Sequence, residues 1–514
     1  MLINEQSKIR AKEKAHSLIQ EALSKQTFLA KALFERPESI CELLPFDEYI
    51  PEFQVFRQKD GSLGVVYEAE LCAHETKTSE EIIRVLQDLR SWFRFTENTT
   101  LSLLFEQAPI SPHDAIWSEF SQPADSLRND IPAKLHQAKV EEIKNQSLAS
   151  GELPLKRRLF VSIRQFEAKR PLSDRAARIG GELRNPNQTL SNEANDFIKR
   201  VRLLNHTLSQ FELTSPLKLQ RQTGEQLADY LRQTFNPVTY YKRPFAKLNP
   251  NIPISEQISF CSSKLNFSGI EREGVRSRTL SLKNAPSFAY PGGMAYFLTL
   301  KFPFRICLNV SFPSPASIKR HFGMKDFFLQ NTPSARSRRQ KAEIEALQER
   351  LVRDDQVLEM TFNVALEGTS EDELDLQTKE CLARFQGKLE CEAIVENDIG
   401  LGLWMNMLPL SYHPIANYTS RRAVRILASD IVHFCPVFDT FRGTRECQSL
   451  FISREGGLVP FNLKSFGNSH HVAVLGDTGS AKSGQIIKLL LGELRKDPRP
   501  LIFVIDFKTS YGMV

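Results

Sequence analysis

His471-Val-Ala-Val-Leu-Gly476-Asp-Thr-Gly-Ser-Ala-Lys482-Ser483 is the stretch whose reading decides the fold at the C-terminal end of this chain. The residues Gly476, Asp477, Thr478, Gly479, Ser480, Ala481, Lys482 and Ser483 follow the pattern G-x-x-x-x-G-K-[ST], with Ala481 in place of the second glycine. The run His471-Val-Ala-Val-Leu475 before it suits a buried strand. Ile486, Ile487, Leu490, Leu491 and Leu494 after it recur at helical spacing. Strand, glycine turn and helix start together aim backbone N–H groups and the positive helix end at one anion. On this reading Lys482 reaches the outer phosphates of a nucleotide and the Ser483 hydroxyl binds Mg²⁺. The bland alternative is a Gly/Ser turn joining a strand to a helix; the apolar run and the amphipathic flank favour the phosphate reading.

Further along, Pro500-Leu-Ile-Phe-Val-Ile-Asp506 is a second apolar run and ends in a carboxylate. That is the look of a Walker B strand, so Asp506 is a candidate Mg²⁺-associated acid. Phe507-Lys-Thr-Ser-Tyr511 follows and the sequence ends at Val514. A parallel nucleotide-binding sheet needs several crossover units, and a domain usually takes roughly 100–150 residues. The expectation is therefore a nucleotide-binding domain, beginning near residue 450, that is cut off inside its core.

Composition sets wide bounds. The 514 residues are 41% hydrophobic and 25% charged, ordinary for a globular chain of about three domains. A net charge of +6, set against 67 basic and 61 acidic residues, makes no nucleic-acid case by itself. The densest basic stretch, Arg336-Ser-Arg-Arg-Gln-Lys341, reads as the solvated start of a mixed-charge helix. The eight cysteines form no C-x-x-C pair, and no histidine cluster has metal spacing, which fits a reducing compartment with buried thiols. The N-terminus, Met1 to Lys25, lacks the apolar segment of a signal peptide. No apolar run reaches the ~20 residues that span a bilayer.

Toward the N-terminus, Ser7 to Phe34 reads as an amphipathic helix. Phe53 to Phe56 and Leu63 to Tyr67 read as strands around Asp60-Gly61, a primed-turn signal. Ser79 to Arg94 is helical, with Ile82, Ile83, Leu86, Leu89 and Phe93 on one stripe. Strands follow at Leu101 to Phe105 and Arg158 to Ile163, and helices at Gln122 to Ser150, Gln188 to Glu212 and Thr223 to Thr234. This alternation predicts an α/β or α+β layer with helices on one face of a sheet. Strands are expected at Ser287 to Tyr290, Met294 to Leu298 and Phe304 to Ser311, with Pro291-Gly292-Gly293 as a turn. Ser317 to Asp355 is mainly helical. Val357 to Leu366, Ser370 to Gly387 and Leu389 to Val395 make a strand–helix–strand module, and Ser420 to Leu427 reads as a connecting helix. No internal repeat is evident. The expected division is an N-terminal helix (1–38), an α+β assembly region (39–312), a module with linker (313–449), and the start of the P-loop domain (450–514).

Several landmarks in this order resemble the TraC-type ATPases of F-like conjugative transfer, relatives of the VirB-class ATPases of type IV secretion. Leu44-Pro-Phe-Asp-Glu-Tyr49 is similar to the family's "LLPYRDY", and Met407-Leu-Pro-Leu410 to its "CLPF". Phe434-Cys-Pro-Val-Phe438 precedes the P-loop, and Val504-Ile-Asp506-x-x-x-Ser510-Tyr511 is similar to a family strand ending "DxxxSY". The resemblance implies an α+β N-terminal region followed by a P-loop NTPase core of the RecA/FtsK–HerA-like kind, truncated here. It implies ATP and Mg²⁺ as ligands, a hexameric motor, partners among inner-membrane secretion subunits, and a cytoplasmic location peripheral to the inner membrane. It assigns Gly476, Gly479, Ser480, Lys482 and Ser483 to the phosphate loop, and Asp506 and Tyr511 to a strand end near the nucleotide. Ala481 departs from the pattern; a Cβ where backbone meets phosphate weakens the site. Family members carry a later Walker B, an arginine finger and sensor residues beyond the point where this sequence ends, so turnover by this chain alone is not expected. Two other readings stay open: a catalytically inactive docking or scaffold fragment, and another hexameric P-loop DNA translocase. The latter usually carries N-terminal membrane helices.

Overall fold

In a computed structural model the structure describes residues 39–121, 131–150, 152–167, 186–242, 244–284, 290–330, 350, 355–444, 446–465, 471–477, 482–495 and 500–505. The helix expected at Ser7 to Phe34 lies outside them. The strands are β1 (Phe46–Ile50), β2 (Val55–Gln58), β3 (Leu63–Ala69), β4 (Cys72–Ala73), β5 (Thr99–Pro109), β6 (Leu155–Gln165), β7 (Leu219–Arg221), β8 (Ser263–Asn266) and β9 (Gly269–Arg272). They continue as β10 (Val275–Asn284), β11 (Phe304–Ser311), β12 (Val357–Gly368), β13 (Glu392–Val395), β14 (Val424–Leu427), β15 (Phe438–Asp439), β16 (Ser449–Ile452) and β17 (Leu458–Phe461).

Among the described residues thirteen of these strands make one sheet, in the order β1-β2-β3-β6-β5-β11-β12-β10-β9-β8. β7 lies beside β3, β13 beside β10 and β14 beside β12. Every pairing in it is antiparallel. The sheet runs without a break across residue 312, because β11 pairs β12 along its whole length.

The strand order contains a repeat that the residues did not disclose. β3, the helix Ser79–Asp88, β5, β6, the helix Pro186–Thr214 and β7 form one unit with neighbours β7-β3-β6-β5. β10, the 3₁₀ segment Gly293–Thr299, β11, β12, the helix Glu371–Lys388 and β13 form a second, with neighbours β13-β10-β12-β11. Both have the β-α-β-β-α-β connectivity of a ferredoxin-like unit. Their equivalent strands β5 and β11 pair antiparallel, from Phe304 opposite Gln107 to Ser311 opposite Thr100. The two units therefore meet about an approximate two-fold axis at this ladder. The strand–helix–strand module around residue 380 is the second half of the second unit, with β10 inserted between its two strands. No repeat showed in the sequence because the duplication lies in the order of pairing, not in shared motifs.

Helices cover both faces of the sheet, not one. On the first face Leu86, Leu204, Leu208, Phe211, Phe297 and Phe385 pack on Leu103, Val161, Leu308 and Phe362. On the second, the helices Gly224–Phe235 and Gly400–Asn406 bring Leu231, Phe235, Trp404 and Met405 against Phe56, Leu104, Phe160 and Ala365. Helix starts follow their sequence signals: Thr78 and Thr223 close capping boxes with Glu81 and Gln226, and Ser370 caps Glu373.

Several local expectations change. Met294 to Leu298 is a 3₁₀ segment, because Gly292 takes a left-handed φ of 75° and Met294, Phe297 and Leu298 are buried at helical spacing. Ser420 to Leu427 is not a helix: Arg421 turns the chain at φ 53°, and Val424–Leu427 pairs with β12. The Asp60-Gly61 turn is a three-residue loop with only Gly61 at positive φ, where a type I′ turn needs two. Asp60 is instead committed to Ser62 at 2.6 Å and Arg164 at 2.6 Å. The sequence also predicts strands at 471–475 and 500–506. Across 471–477 and 500–505 the chain carries no strand pairing among the described residues, and Asp506 lies outside them. Leu475 is 90% exposed, Phe503 83% and Ile505 86%.

The strands alternate, so one face of the central sheet is apolar and the other carries Ser102, Glu106, Arg158, Ser162, Arg305, Asn309, Asn363 and Glu367. A chain of charge crosses it. Arg158 Nη2 donates to Glu106 Oε2 at 2.7 Å, and Arg305 Nε donates to Glu106 Oε1 at 2.8 Å. Arg305 Nη1 and Arg272 Nη2 both donate to Glu367 Oε1, at 2.7 and 2.6 Å. Arg272 and Arg305 lie over the ring of Trp404, at 4.8 and 5.9 Å. Burial alone would raise the Glu106 carboxyl, but Arg158 and Arg305 overcome it and hold it at about 2. This carboxylate's stabilising contribution is complete above its ordinary value of 4.5 and is lost as pH falls through about 2.

Removing one partner of such a network leaves buried charge without its counter-charge, at a cost of about 3–5 kcal/mol. Glu106→Ala is expected to lose stability of that order in urea unfolding. The double change Glu106→Met with Arg305→Met is expected to recover a large part of it. A loss under about 1 kcal/mol in the single variant would show that the network does not hold the sheet.

Candidate phosphate-binding site

The helix Lys482–Leu494 starts at the lysine of the P-loop pattern. Lys482 Nζ turns back and donates to the carbonyls of Gly476 and Asp477, each at 2.6 Å. The segment thus closes on itself: the chain leaves at Gly476, passes through 478–481, which lie outside the described residues, and returns to within reach of the lysine. Ser483 and Gly484 on the first turn are exposed. Their N–H groups belong to the first turn, where no intrahelical acceptor exists, so the helix start is open to an anion. Of the sequence-predicted site residues, Gly476, Asp477, Lys482 and Ser483 are brought together here. Thr478, Gly479, Ser480, Ala481 and Asp506 lie outside the described residues, as does Tyr511.

The far end of this helix is fixed to the body by residues that motif reading passed over. Lys488 Nζ donates to Leu450 O at 2.5 Å and sits 3.9 Å above the Phe451 ring. Ser449 Oγ donates to Lys488 O at 3.2 Å, and Arg495 Nη1 donates to Cys447 O and Gln448 O at 3.3 and 2.9 Å. Gly492 is required at the contact, since a Cβ there would stand 2.8 Å from Ser449 Oγ and 3.0 Å from Gln448 O. Beside this contact a cleft of about 630 Å³, lined by His136, Lys139, Ser449, Ile487, Lys488 and Leu491, lies between the helix, Ile131–Ser150 and the hairpin. The only sequence signal for this seat was a basic residue on the otherwise apolar stripe.

The junction crowds positive charge. His136 is pushed down to about 4, first by burial and then by Arg495 and Lys488, while its Nε2–H donates to Phe120 O at 2.9 Å. Lys488 is pushed down to about 8, first by burial and then by Lys139.

Other chemistry is thin. All eight cysteines are unbridged. Burial pushes Cys391 up to about 11 and Cys381 up to about 12, which leaves both as inert thiols. Among the described residues no group of His, Cys, Asp or Glu is placed to hold a metal ion, and no helix is long and apolar enough to cross a membrane.

The folded site keeps His136 neutral, whereas the unfolded chain takes up a proton below its ordinary value of 6.5. Stability at the junction is therefore expected to fall as pH drops from 6.5 toward 4. Amide exchange across Lys482–Leu494, corrected for its intrinsic pH dependence, should quicken over that window, and His136→Gln should flatten the change. An equal response in the variant would remove His136 from the account.

The family model described as TraC protein matches residues 40–412. No curated protein matches the chain at a significant level. The matched span holds the whole of both ferredoxin-like units and ends at Tyr412, before the Gly476–Ser483 loop.

Proposed function

This chain belongs to the TraC family of conjugative-transfer proteins, and we propose that within it Gly476–Ser483 is the phosphate-binding loop of an ATP-binding motor subunit. The observation that carries the reading is Lys482, which sits on the first turn of an open helix start and holds two carbonyls of its own loop. An ammonium has three N–H donors. Two hold the loop, and the third, without a partner among the described residues, is the donor for an incoming phosphate. Ser483, beside it on the same exposed turn, supplies the hydroxyl for Mg²⁺, and Asp506 is the candidate acid of the following apolar run. ATP supplies the phosphoryl group when bound; the chain's own residues bind it and neutralise its charge.

Two further features support a motor part. The exposed Leu475, Leu501, Phe503 and Ile505 are side chains of the kind a parallel nucleotide-binding sheet buries. The helix that starts at Lys482 is the same one that Lys488 and Arg495 fix to residues 447–450 at the start of the β16–β17 hairpin, which Arg157 in turn ties to the sheet. A shift at the loop therefore has a rigid path into the sheet. In this proposal the body docks on inner-membrane secretion subunits, and a ring of copies, six in the family, performs transfer.

Lys482→Ala is expected to weaken binding of a non-hydrolysable ATP analogue roughly tenfold to a hundredfold, from about 1.5–3 kcal/mol for a charge-assisted hydrogen bond. Ala481→Gly is expected to tighten it. Calorimetry reads both. Unchanged affinity in the lysine variant would place the nucleotide elsewhere.

A further inference from the structure

The buried charge network does not close on itself. It sets three guanidinium groups, Arg158, Arg305 and Arg272, against two carboxylates, Glu106 and Glu367. Glu68 on β3 adds a weaker attraction to Arg158. Arg158 is the end of the network that reaches an opening. Its Nη2 is shared between Glu106 at 2.7 Å and Gln233 at 3.0 Å, and neither Nε nor Nη1 has a hydrogen-bond partner among the described residues. Beyond it lies a cavity of about 490 Å³, in the size range of small-ligand sites. Lys156 and Lys242, both exposed, stand at its rim, and Tyr240, Tyr241 and Phe245 form its wall.

The lining sorts by chemistry. Three cations, one of them nearly buried with unused donors, suit a phosphate, which takes several N–H donors from a guanidinium fork and from ammonium groups. The aromatic wall is preformed: Tyr240 and Phe245 stack at 5.8 Å, and Tyr240 Oη donates to Asp229 Oδ2 at 2.6 Å. Two carboxylates also line the cavity. Asp229 is held by Tyr240, and Asp114 Oδ1 accepts the Ile116 N–H at 3.0 Å. Their remaining oxygens are acceptors suited to sugar hydroxyls.

We propose that this cavity is a binding site for a phosphate-bearing ligand of mononucleotide size. The phosphate lies against Arg158, Lys156 and Lys242, the hydroxyls face Asp114 and Asp229, and a flat ring lies along Tyr240, Tyr241 and Phe245. The site is on the β5–β6 end of the sheet, built by different elements from Gly476–Ser483, and it does not depend on the P-loop reading.

The test uses AMP as probe and the full chain carrying Lys482→Ala, so that the P-loop does not contribute. Calorimetry at low ionic strength is expected to show one AMP per chain, weaker at higher salt, displaced by inorganic phosphate and not by adenosine. Lys156→Glu with Lys242→Glu is expected to weaken AMP at least tenfold with an unchanged thermal midpoint, because both side chains are exposed. Absence of AMP binding, equal binding in the double variant, or displacement by adenosine as good as that by phosphate would each overturn the proposal.

Discussion

Arg305 stands between Glu106 and Glu367, and this single guanidinium joins the two halves of the sheet. Glu106 belongs to β5 in the first ferredoxin-like unit; Arg305 and Glu367 belong to β11 and β12 in the second. Backbone pairing between β5 and β11 would hold the units in any register that kept the ladder. The ion pairs select one register, because a shift of one residue would send Glu106 to the apolar face and put Phe105 in its place. Charge desolvated to this degree stabilises only when its partners are close and well placed. The covering helices add to the network: Trp404 gives its ring to two of the arginines, and Thr234 gives its carbonyl to Arg272.

A second buried arginine does for one corner what Arg305 does for the centre. Arg164 bonds Asp60 and Ser62 in the β2–β3 loop, and also the carbonyls of Leu410 and Tyr412 at 2.9 and 3.2 Å. The Met407-Leu-Pro-Leu410 segment therefore lies across the polar face as a strap. Leu410 takes a φ of 62°, and its side chain fills the space over Gly64, where a Cβ would come within 2.5 Å. Two short motifs that the sequence read separately, the turn and the strap, are thus one structural device. The family match ends where that device ends, at Tyr412.

Past the strap, the chain builds the platform for the candidate loop. Arg157 reaches from β6 to Gln107, Asp439, Thr440 and the Glu455 carbonyl, which ties the linker and the β16–β17 hairpin to the sheet. That hairpin then receives Lys488 and Arg495 of the helix that begins at Lys482. Body, hairpin and the helix that begins at Lys482 form one connected path of hydrogen bonds.

What the sequence determined by itself was local. The pattern around Lys482, the apolar runs that form β5, β6, β11 and β12, and the helical stripe from Ser79 to Arg94 depend on neighbours a few residues away, and each was legible. The same reading left Met294 to Leu298 as a strand and Ser420 to Leu427 as a helix, since short apolar runs do not declare their period and Gly292 and Arg421 act through φ alone. Only the tertiary structure decided that β10 enters between β12 and β13, that helices cover both faces, and that Glu106, Arg305 and Glu367 share one line. It alone decided that Lys488 and Arg495 seat the helix of the candidate loop. Those facts rest on contacts between residues far apart in the chain, where charge is buried only because the partner arrives from another strand, and no local pattern records that arrival.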